Sequence, residues 1–238
     1  MGNDFFRFKQ FIVRQGGAAM KVGVDSVLLG AWVSPDHAFR ILDVGTGTGL
    51  LALMMAQRYP DAVIDAVEID HDAYQQALEN IAESPWNHRI RVFCNDFVNY
   101  AEHCPDRYEL IISNPPYFTD SFKPLDRKRN VARHNDSLPL RQLLTGTIKL
   151  LACGAKLAVV LPPDEASLLI NEAASLGLYV NRMLSVQSLP SKPVIRILVE
   201  LSKTEYPHDE EILCIEKPDR SDYTDAYKQL TREFYLNF

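Results

Sequence analysis

A strand-like run that leads through three closely spaced glycines into a helix constrains the fold of this chain more than any other feature. Arg40–Val44 is a short apolar run that contains Asp43, the glycines stand in the sequence GTGTG at positions 45–49, and Leu50–Arg58 has a helical composition. Glycine lets the backbone turn sharply and approach a ligand closely, and a helix N-terminus offers unpaired N–H groups to an anion. The pattern predicts a βα unit of a parallel sheet with a ligand at the carboxyl end of the strand.

An acidic residue closes the next predicted strand. Residues 62–69 alternate into Glu68, about 20 residues after the glycine loop, the distance at which an acid at a strand end meets ribose hydroxyls. The glycine spacing departs from the dinucleotide pattern Gly-x-Gly-x-x-Gly, in which a bulky pyrophosphate must be seated. Together these features favour a nucleoside with a small charged tail.

A third predicted strand, residues 89–94, ends in Asn95, Asp96 and Phe97. An acid and an aromatic ring at the carboxyl end of a strand can hold and stack an adenine, because ligands of such sheets sit outside the strand ends. The alternative is a plain turn, since Asn-Asp is a common turn pair.

Asn114, Pro115, Pro116 and Tyr117 follow a fourth predicted strand, Tyr108–Ser113, and we call these four residues the shelf. The prolines end the strand and hold the backbone extended with its carbonyl groups available as acceptors. Asn114 adds a side-chain acceptor and Tyr117 a flat aromatic face, so the shelf suits a planar group that carries an NH2, such as a nucleobase amine. The alternative is a strand end with a surface tyrosine.

The remaining elements follow from periodicity and from breaks at glycine and proline. The predicted helices are a buried one at 27–32, with Asp25 or Ser26 as its N-cap, and others at 71–84, 140–151 (capped by Ser137), 164–176 and 223–238. The predicted strands are one within residues 5–14 and others at 155–161, 179–189, 194–201 and, at the sheet edge, 212–216. The connection between 179–189 and 194–201 is too short for a crossover, so these two strands are predicted to pair antiparallel.

Charge and cysteine content narrow the functional classes. The net charge is −6, but positions 118–134 hold five basic and two acidic residues, whereas positions 204–238 hold nine acidic and four basic ones. Four widely spaced cysteines and six histidines without ligand spacing indicate neither a disulfide framework nor a metal site. With no membrane-length apolar run, the sequence reads as a reduced, cytoplasmic protein.

The order of elements resembles the seven-stranded fold of S-adenosylmethionine-dependent methyltransferases. The loop, Glu68, Asp96 and the shelf resemble the motifs of amino-group methyltransferases that act on adenine, guanine or glutamine. More narrowly, residues 20–32 (MKVGVDSVLLGAW), 132–134 (ARH) and 234–238 (FYLNF) are similar to those of the bacterial valine-tRNA adenosine N6-methyltransferases, which modify the adenosine beside the anticodon.

The resemblance implies an α/β fold, a single domain with a seven-stranded Rossmann-like sheet and a C-terminal antiparallel hairpin. Residues 1–35 would close the cofactor site, and residues 36–238 would form the methyltransferase domain with a basic segment at 118–136 that meets the substrate. The partners implied are S-adenosylmethionine and tRNA, with no metal and no membrane, and the chain is expected to act as a monomer.

The resemblance also implies a role for each motif residue. The methionine end of the cofactor would be held by Asp43, Gly45, Gly47 and Gly49, its ribose by Glu68 and its adenine by Asp96 and Phe97, with Lys21 and Asp25 closing the site. Asn114 and the carbonyl of Pro115 would accept the amine hydrogens, and Tyr117 would stack on the base. Apart from the resemblance, the basic run directly after the shelf predicts that tRNA is bound by Lys123, Arg127, Lys128, Arg129, Arg133 and His134, and the alternative is a solvated loop. Ser26 stands where this family often has Gly or Ala.

Two other functions stay open. A protein-glutamine methyltransferase uses the same kind of shelf because a carboxamide NH2 is chemically alike, although such enzymes usually carry an added helical substrate domain. A non-catalytic module that binds the cofactor or RNA is the third possibility, and the intact shelf argues against it.

Overall fold

The computed structural model describes residues 4–16, 22–33, 37–116, 138–207 and 209–238. The strands are β1 (Phe5–Arg7), β2 (Ile12–Arg14), β3 (Arg40–Val44), β4 (Val63–Glu68), β5 (Ile90–Cys94), β6 (Tyr108–Ser113), β7 (Leu151–Leu161), β8 (Tyr179–Gln187), β9 (Val194–Ser202) and β10 (Asp209–Cys214). The helices are α1 (Val24–Trp32), α2 (Leu50–Arg58), α3 (His71–Ala82), α4 (Phe97–His103), α5 (Leu140–Leu150), α6 (Pro163–Ser175) and α7 (Asp225–Thr231).

Eight strands form one sheet in the order β10-β8-β9-β7-β6-β3-β4-β5. Five neighbouring strands, β7, β6, β3, β4 and β5, pair parallel with one another, so their carboxyl ends meet at one edge, which we call the catalytic edge. The register pairs Val44 with both Ser113 and Val67, and Glu68 with Cys94. The glycine loop after β3 therefore lies directly beside the shelf after β6.

The antiparallel pairing predicted for the last two long strands is confirmed. β9 runs antiparallel to both β7 and β8, and β10 then pairs parallel with β8 as the edge strand predicted near 212–216. This edge strand makes the sheet eight-stranded instead of seven-stranded. Because β9 is reversed, its first residues lie at the catalytic edge.

Apolar side chains cover both faces of the sheet. Successive residues of β3 alternate between two cores: Ile41 packs with α1 and α2, whereas Leu42 packs with α4, α5 and α6. All of these side chains are nearly inaccessible, and each contributes about 1.5–3 kcal/mol to folding through burial. This packing fixes the strand ends that carry the functional side chains. Within the described ranges, no helix is long and apolar enough to cross a membrane.

The two ends of the chain differ from the prediction. The single strand predicted within 5–14 is a hairpin of β1 and β2, because Phe8 N–H bonds to the Phe11 carbonyl at 2.9 Å and turns the chain. The helix predicted at 223–238 is limited to α7, whose N-cap is Thr224. The aromatic residues after α7 pack on the hairpin of β1 and β2 instead of forming a helical face, as the contact between Tyr235 and Phe8 shows. The Lys9 N–H group also donates to the Phe234 carbonyl at 2.8 Å.

Two predicted N-caps are wrong. Gly23 occupies the N-cap of α1 with no side-chain hydrogen bond, so Asp25 and Ser26 lie inside the first turn of the helix. Pro139 occupies the N-cap of α5, and Ser137 lies outside the described residues. The Ser26 hydroxyl and the Asp25 carboxylate instead bind residues of other elements.

Candidate functional site

The glycine loop leaves open space at its backbone. Gly45 and Gly47 have φ values of 69° and 57°, in the left-handed region that only glycine adopts readily, and a Cβ atom built at either one meets nothing within 4 Å. Gly49 is the N-cap of α2. The loop therefore forms a cradle in which a ligand can approach the main chain, with the N-terminus of a nine-residue helix behind it.

Glu68 supports this cradle from the end of β4. Its side chain is buried, and Oε2 accepts from Gly47 N–H at 2.8 Å while Oε1 accepts from Asp70 N–H at 2.9 Å. Gly45 and Thr46 donate their N–H groups to the Val67 carbonyl at 2.9 and 3.1 Å. The Glu68 carboxylate thus holds the backbone of the glycine loop in place through its hydrogen bond to Gly47, a role that its position in the sequence did not indicate.

Asp43 provides a buried carboxyl group directly before the cradle. It is 0% exposed, and its Oδ2 accepts from Thr46 Oγ1 at 2.5 Å and from Ala52 N–H at 3.0 Å. Its Oδ1 is buried with no hydrogen-bond partner in the part of the chain that the structure describes. Burial raises the pKa of Asp43 to about 7, against the lowering effect of its two hydrogen bonds and with a smaller rise from Glu68.

Asp96 and Phe97 lie at the same edge but differ in what they offer. Asp96 is the N-cap of α4, where its Oδ1 accepts from Asn99 N–H at 3.0 Å, and Asn95 N–H donates to the Glu68 carbonyl. The Phe97 ring is 5% exposed and packs so closely on Gly146 that a Cβ there would lie 2.5 Å from it. The Phe97 ring is thus part of the core, and its predicted stacking contact with adenine stays a prediction.

The shelf begins where the register places it, next to the glycine loop. Ser113 Oγ donates to the Val44 carbonyl at 2.8 Å and joins β6 to β3 at their ends. Asn114 is half-buried, and its Nδ2 donates to Ser26 Oγ at 2.8 Å. Pro115 is buried and Pro116 is exposed.

The start of α1 lies against the shelf and is tied to the sheet. Asp25 Oδ2 accepts from Arg196 Nε at 2.7 Å, and Arg196 is near the start of β9, at the catalytic edge. Ser26 and Arg196 were not predicted as site residues. Their contacts join residues 88 and 171 positions apart, which no local pattern in the sequence marks.

Asn80 is a further residue that sequence reasoning missed. Its side chain is 1% exposed; Oδ1 accepts from Arg14 N–H at 2.8 Å, and Nδ2 donates to the carbonyls of Arg14 and Thr48 at 2.9 and 2.8 Å. One amide of α3 therefore fastens the N-terminal hairpin to the glycine loop.

The remaining predicted site residues have no described placement. Lys21, Tyr117, Lys123, Arg127, Lys128, Arg129, Arg133 and His134 lie outside the described residues. Among the residues that are described, no group of three or more His, Cys, Asp or Glu side chains is arranged to hold a metal ion.

Comparison with known protein families agrees with this geometry. A family model described as the methyltransferase small domain matches residues 18–133. A relative from Bacteroides fragilis is 49% identical over 237 residues, with 99% of each chain covered, and one from Trichodesmium erythraeum is 46% identical, with all of each chain covered. Both relatives are named tRNA1(Val) (adenine(37)-N6)-methyltransferase.

Solved structures share the fold at low sequence identity. A predicted O-methyltransferase from Agrobacterium tumefaciens has a TM-score of 0.68 at 20% identity, covering 88% of this chain and 96% of its own. A glycopeptide N-methyltransferase complexed with S-adenosyl-L-methionine has a TM-score of 0.56 at 13% identity, covering 76% and 95%. The predicted Rossmann-like methyltransferase architecture is therefore confirmed.

Proposed function

The chain belongs to the family of the tRNA1(Val) (adenine(37)-N6)-methyltransferases, and we propose that it methylates N6 of an adenosine in the anticodon loop of a valine tRNA. The observation that carries this proposal is the adjacency of the shelf and the glycine loop. Val44 pairs with Ser113, so Asn114 and Gly45 follow neighbouring strand ends. Such strands lie about 4.8 Å apart, within reach of a single methyl transfer between a cofactor on the loop and a base on the shelf.

The residues at the catalytic edge fit S-adenosylmethionine. The acceptor capacity of Asp43 Oδ1 suits the cationic amino group of the methionine end, and the open backbone at Gly45 and Gly47 suits a close-lying ligand chain. Glu68 and Asp96, one and two strands further along the sheet, suit the ribose and the adenine. When bound, this cofactor supplies an electrophilic methyl group on a sulfonium centre.

The task left to the protein is alignment of a weak nucleophile. The lone pair of the adenine amine is delocalised into the ring, and the amine becomes more nucleophilic when acceptors hold both of its hydrogens. Asn114 Oδ1 and the Pro115 carbonyl would be these acceptors, and both are on a backbone that two prolines make stiff. No strong base is required, because positioning and electrostatics supply most of the rate.

The relatives favour this function over methylation of a protein glutamine, which the shelf alone would also allow. They match the chain over nearly its full length under the tRNA name. A purely binding role is disfavoured because Asn114 and the cofactor cradle occur together. We further propose that the protein acts as a monomer in the cytoplasm.

Nucleoside mass spectrometry tests the proposal. Bulk tRNA from cells with and without this gene should differ in N6-methyladenosine, and purified protein should restore the modification to valine tRNA from the deletion strain. A valine transcript in which the adenosine beside the anticodon is replaced by guanosine is the matched negative substrate. Equal N6-methyladenosine in the two strains, or methylation of a glutamine-bearing protein in place of tRNA, would contradict the assignment.

Glu68→Ala is expected to weaken S-adenosylmethionine binding about tenfold, the value of one hydrogen bond to a charged group. The change removes the ribose contact proposed for Glu68 and its hydrogen bonds to Gly47 and Asp70. Titration calorimetry measures the effect, with the exposed Glu102→Ala in α4 as the control. Unchanged affinity, or equally tight binding of NAD, would refute the cofactor site.

The basic segment is the proposed tRNA contact. An anticodon-loop base must be unstacked to enter the site, which costs a few kcal/mol, and phosphate contacts next to the shelf would offset that cost. Two basic residues of the N-terminal hairpin are engaged within the protein: Arg14 pairs with Glu83 at 3.1 Å, and Lys9 Nζ donates to the Phe238 carbonyl at 2.6 Å.

Replacing Arg127, Lys128 and Arg129 together with Ala is expected to raise the Kd for tRNA about tenfold and to lower the salt slope by about one per lost phosphate contact. Filter binding over several salt concentrations measures both effects, and S-adenosylmethionine binding should not change. A matched control is the triple Ala variant of Arg107, Lys149 and Lys203. These residues lie at the opposite edge of the sheet, just before β6, at the end of α5 and after β9. An unchanged salt slope would place the RNA elsewhere.

A further inference from the structure

We propose that Ser26 is a positioning residue that holds the side-chain amide of Asn114 for the incoming amine. Asn114 Nδ2 donates to Ser26 Oγ at 2.8 Å, which joins the first turn of α1 to the end of β6. The inference rests on the proposed function, because it concerns the residue that accepts a hydrogen from the adenosine amine. It adds to that function a residue outside the glycine loop and the shelf.

The chemistry of the contact explains why one hydroxyl matters. A primary amide has an acceptor end and a donor end of nearly the same shape, and only the acceptor end can receive an amine hydrogen. Ser26 fixes the plane and position of the Asn114 amide by binding one end of it. The amine offers only hydrogens to the shelf, so the orientation with Nδ2 on Ser26 and Oδ1 toward the substrate is the productive one.

Ser26 is itself held in place from two directions. Val27, Leu28 and Leu29 follow it directly and are at most 1% exposed, so the helix is anchored in the core. On the other side, Asp25 is paired with Arg196 Nε at 2.7 Å, and both side chains are about three-quarters buried, at 24% and 28% exposed. Arg196 lies one residue beyond the Leu161–Ile197 pair, at the catalytic edge, so this ion pair ties the start of α1 to the edge that carries Asn114.

The size of the effect is limited by the nature of the bond. A neutral hydrogen bond contributes modestly, and the stiff backbone at Pro115 and Pro116 already supplies part of the alignment. Ser26→Ala is therefore expected to lower kcat about five- to tenfold, with the KM for tRNA and the Kd for S-adenosylmethionine changed less than twofold.

Two further variants separate the hydroxyl from the volume of the side chain. Thr and Val have the same shape, and only Thr keeps the hydroxyl. Ser26→Thr should therefore retain a several-fold higher kcat than Ser26→Val. Ser175→Ala, an exposed serine at the far end of α6, should leave kcat unchanged. The comparison of Thr with Val decides the question even where Ser26→Ala lowers the folded fraction.

Nuclear magnetic resonance provides a readout that is independent of turnover. The side-chain NH2 signals of Asn114, identified by their loss in Asn114→Ala, should shift and exchange faster with water in Ser26→Ala and Ser26→Val than in wild type or Ser26→Thr. Unchanged signals, or equal kcat in the Thr and Val variants, would overturn the positioning role. If wild-type protein fails to methylate tRNA, the proposed function fails, and the resonance experiment still decides whether Ser26 holds Asn114.

Discussion

Asn114→Ala is expected to lower kcat for tRNA methylation by about 10² to 10³ while changing the Kd for S-adenosylmethionine less than twofold. A loss of this size is typical when one preorganised polar group is removed from the position where charge develops in the transition state. Asn114 lies after β6 and is hydrogen-bonded to Ser26, whereas the groups proposed to hold the cofactor lie on or directly after β3, β4 and β5. We therefore expect kcat and the Kd for S-adenosylmethionine to depend on residues of different strands.

Single-turnover assays with enzyme in excess over tRNA measure the chemical step directly, and calorimetry measures the cofactor. Asn87→Ala is the matched control, because Asn87 is exposed and bonds only weakly, at 3.3 Å, to the Ala82 carbonyl. A near-normal single-turnover rate for Asn114→Ala would show that the shelf does not act on the amine. A parallel loss of cofactor affinity would show instead that the residue supports the cofactor loop.

Local patterns in the sequence were sufficient for the frame of the site. The strand, glycine loop and helix at 40–58 form as predicted, because the loop needs positive φ values that glycine supplies and the flanking residues have a clear period. Tyr108–Ser113 ends at the shelf because prolines cannot continue the ladder. Once those strands are parallel, their carboxyl ends must share one edge, so the site follows from topology.

The features that the sequence did not predict depend on contacts between segments that are distant from one another in the chain. Ser26 and Asp25 have the sequence signature of a helix cap, yet their partners are Asn114 and Arg196, which only the folded sheet brings near. Phe97 follows an acid as an adenine-stacking residue does, and its ring also packs closely against Gly146 on α5, a contact that no local pattern in the sequence marks. The C-terminal aromatics were wrongly assigned to a helix because their spacing serves packing against the hairpin.

Asp43→Asn is expected to weaken binding of S-adenosylhomocysteine, the demethylated product, by roughly 30- to 150-fold at pH 7.5. This is the cost of removing a charge-assisted hydrogen bond of about 2–3 kcal/mol. The amide of the variant would keep one oxygen for Thr46 and Ala52 but would present an NH2 in place of the buried Oδ1. A cationic amino group would then meet a donor where wild type offers an acceptor.

The pH dependence of binding identifies the ionised carboxylate as the cause. Burial raises the pKa of Asp43 to about 7, so wild type is largely protonated at pH 5.5 and largely ionised at pH 7.5. Affinity of wild type for S-adenosylhomocysteine should therefore rise about tenfold between these values, whereas the Asp43→Asn variant should show little change. The difference in affinity between the two proteins should therefore be about tenfold smaller at pH 5.5 than at pH 7.5.

Stability of the ligand-free protein should move in the opposite direction. Because the folded-state pKa of Asp43 is raised above its ordinary value of 3.8, the folded state binds the proton more tightly than the unfolded state. Its contribution is fully present below pH 4 and is lost as pH rises through about 7, at up to about 1.4 kcal/mol per pH unit. Denaturant unfolding of ligand-free protein should thus show Asp43→Asn gaining on wild type as pH rises.

A ligand without the amino-acid tail separates the two effects. Methylthioadenosine carries the adenosine and the sulfur but neither the amino nor the carboxyl group, so its affinity should be the same for wild type and Asp43→Asn at every pH. Equal loss of affinity for both ligands would mean that the substitution deforms the cradle through Thr46 and Ala52. Loss confined to S-adenosylhomocysteine, and growing with pH, is the result that only a buried carboxylate facing a cation produces, since a deformed loop has no reason to follow the ionisation of one side chain.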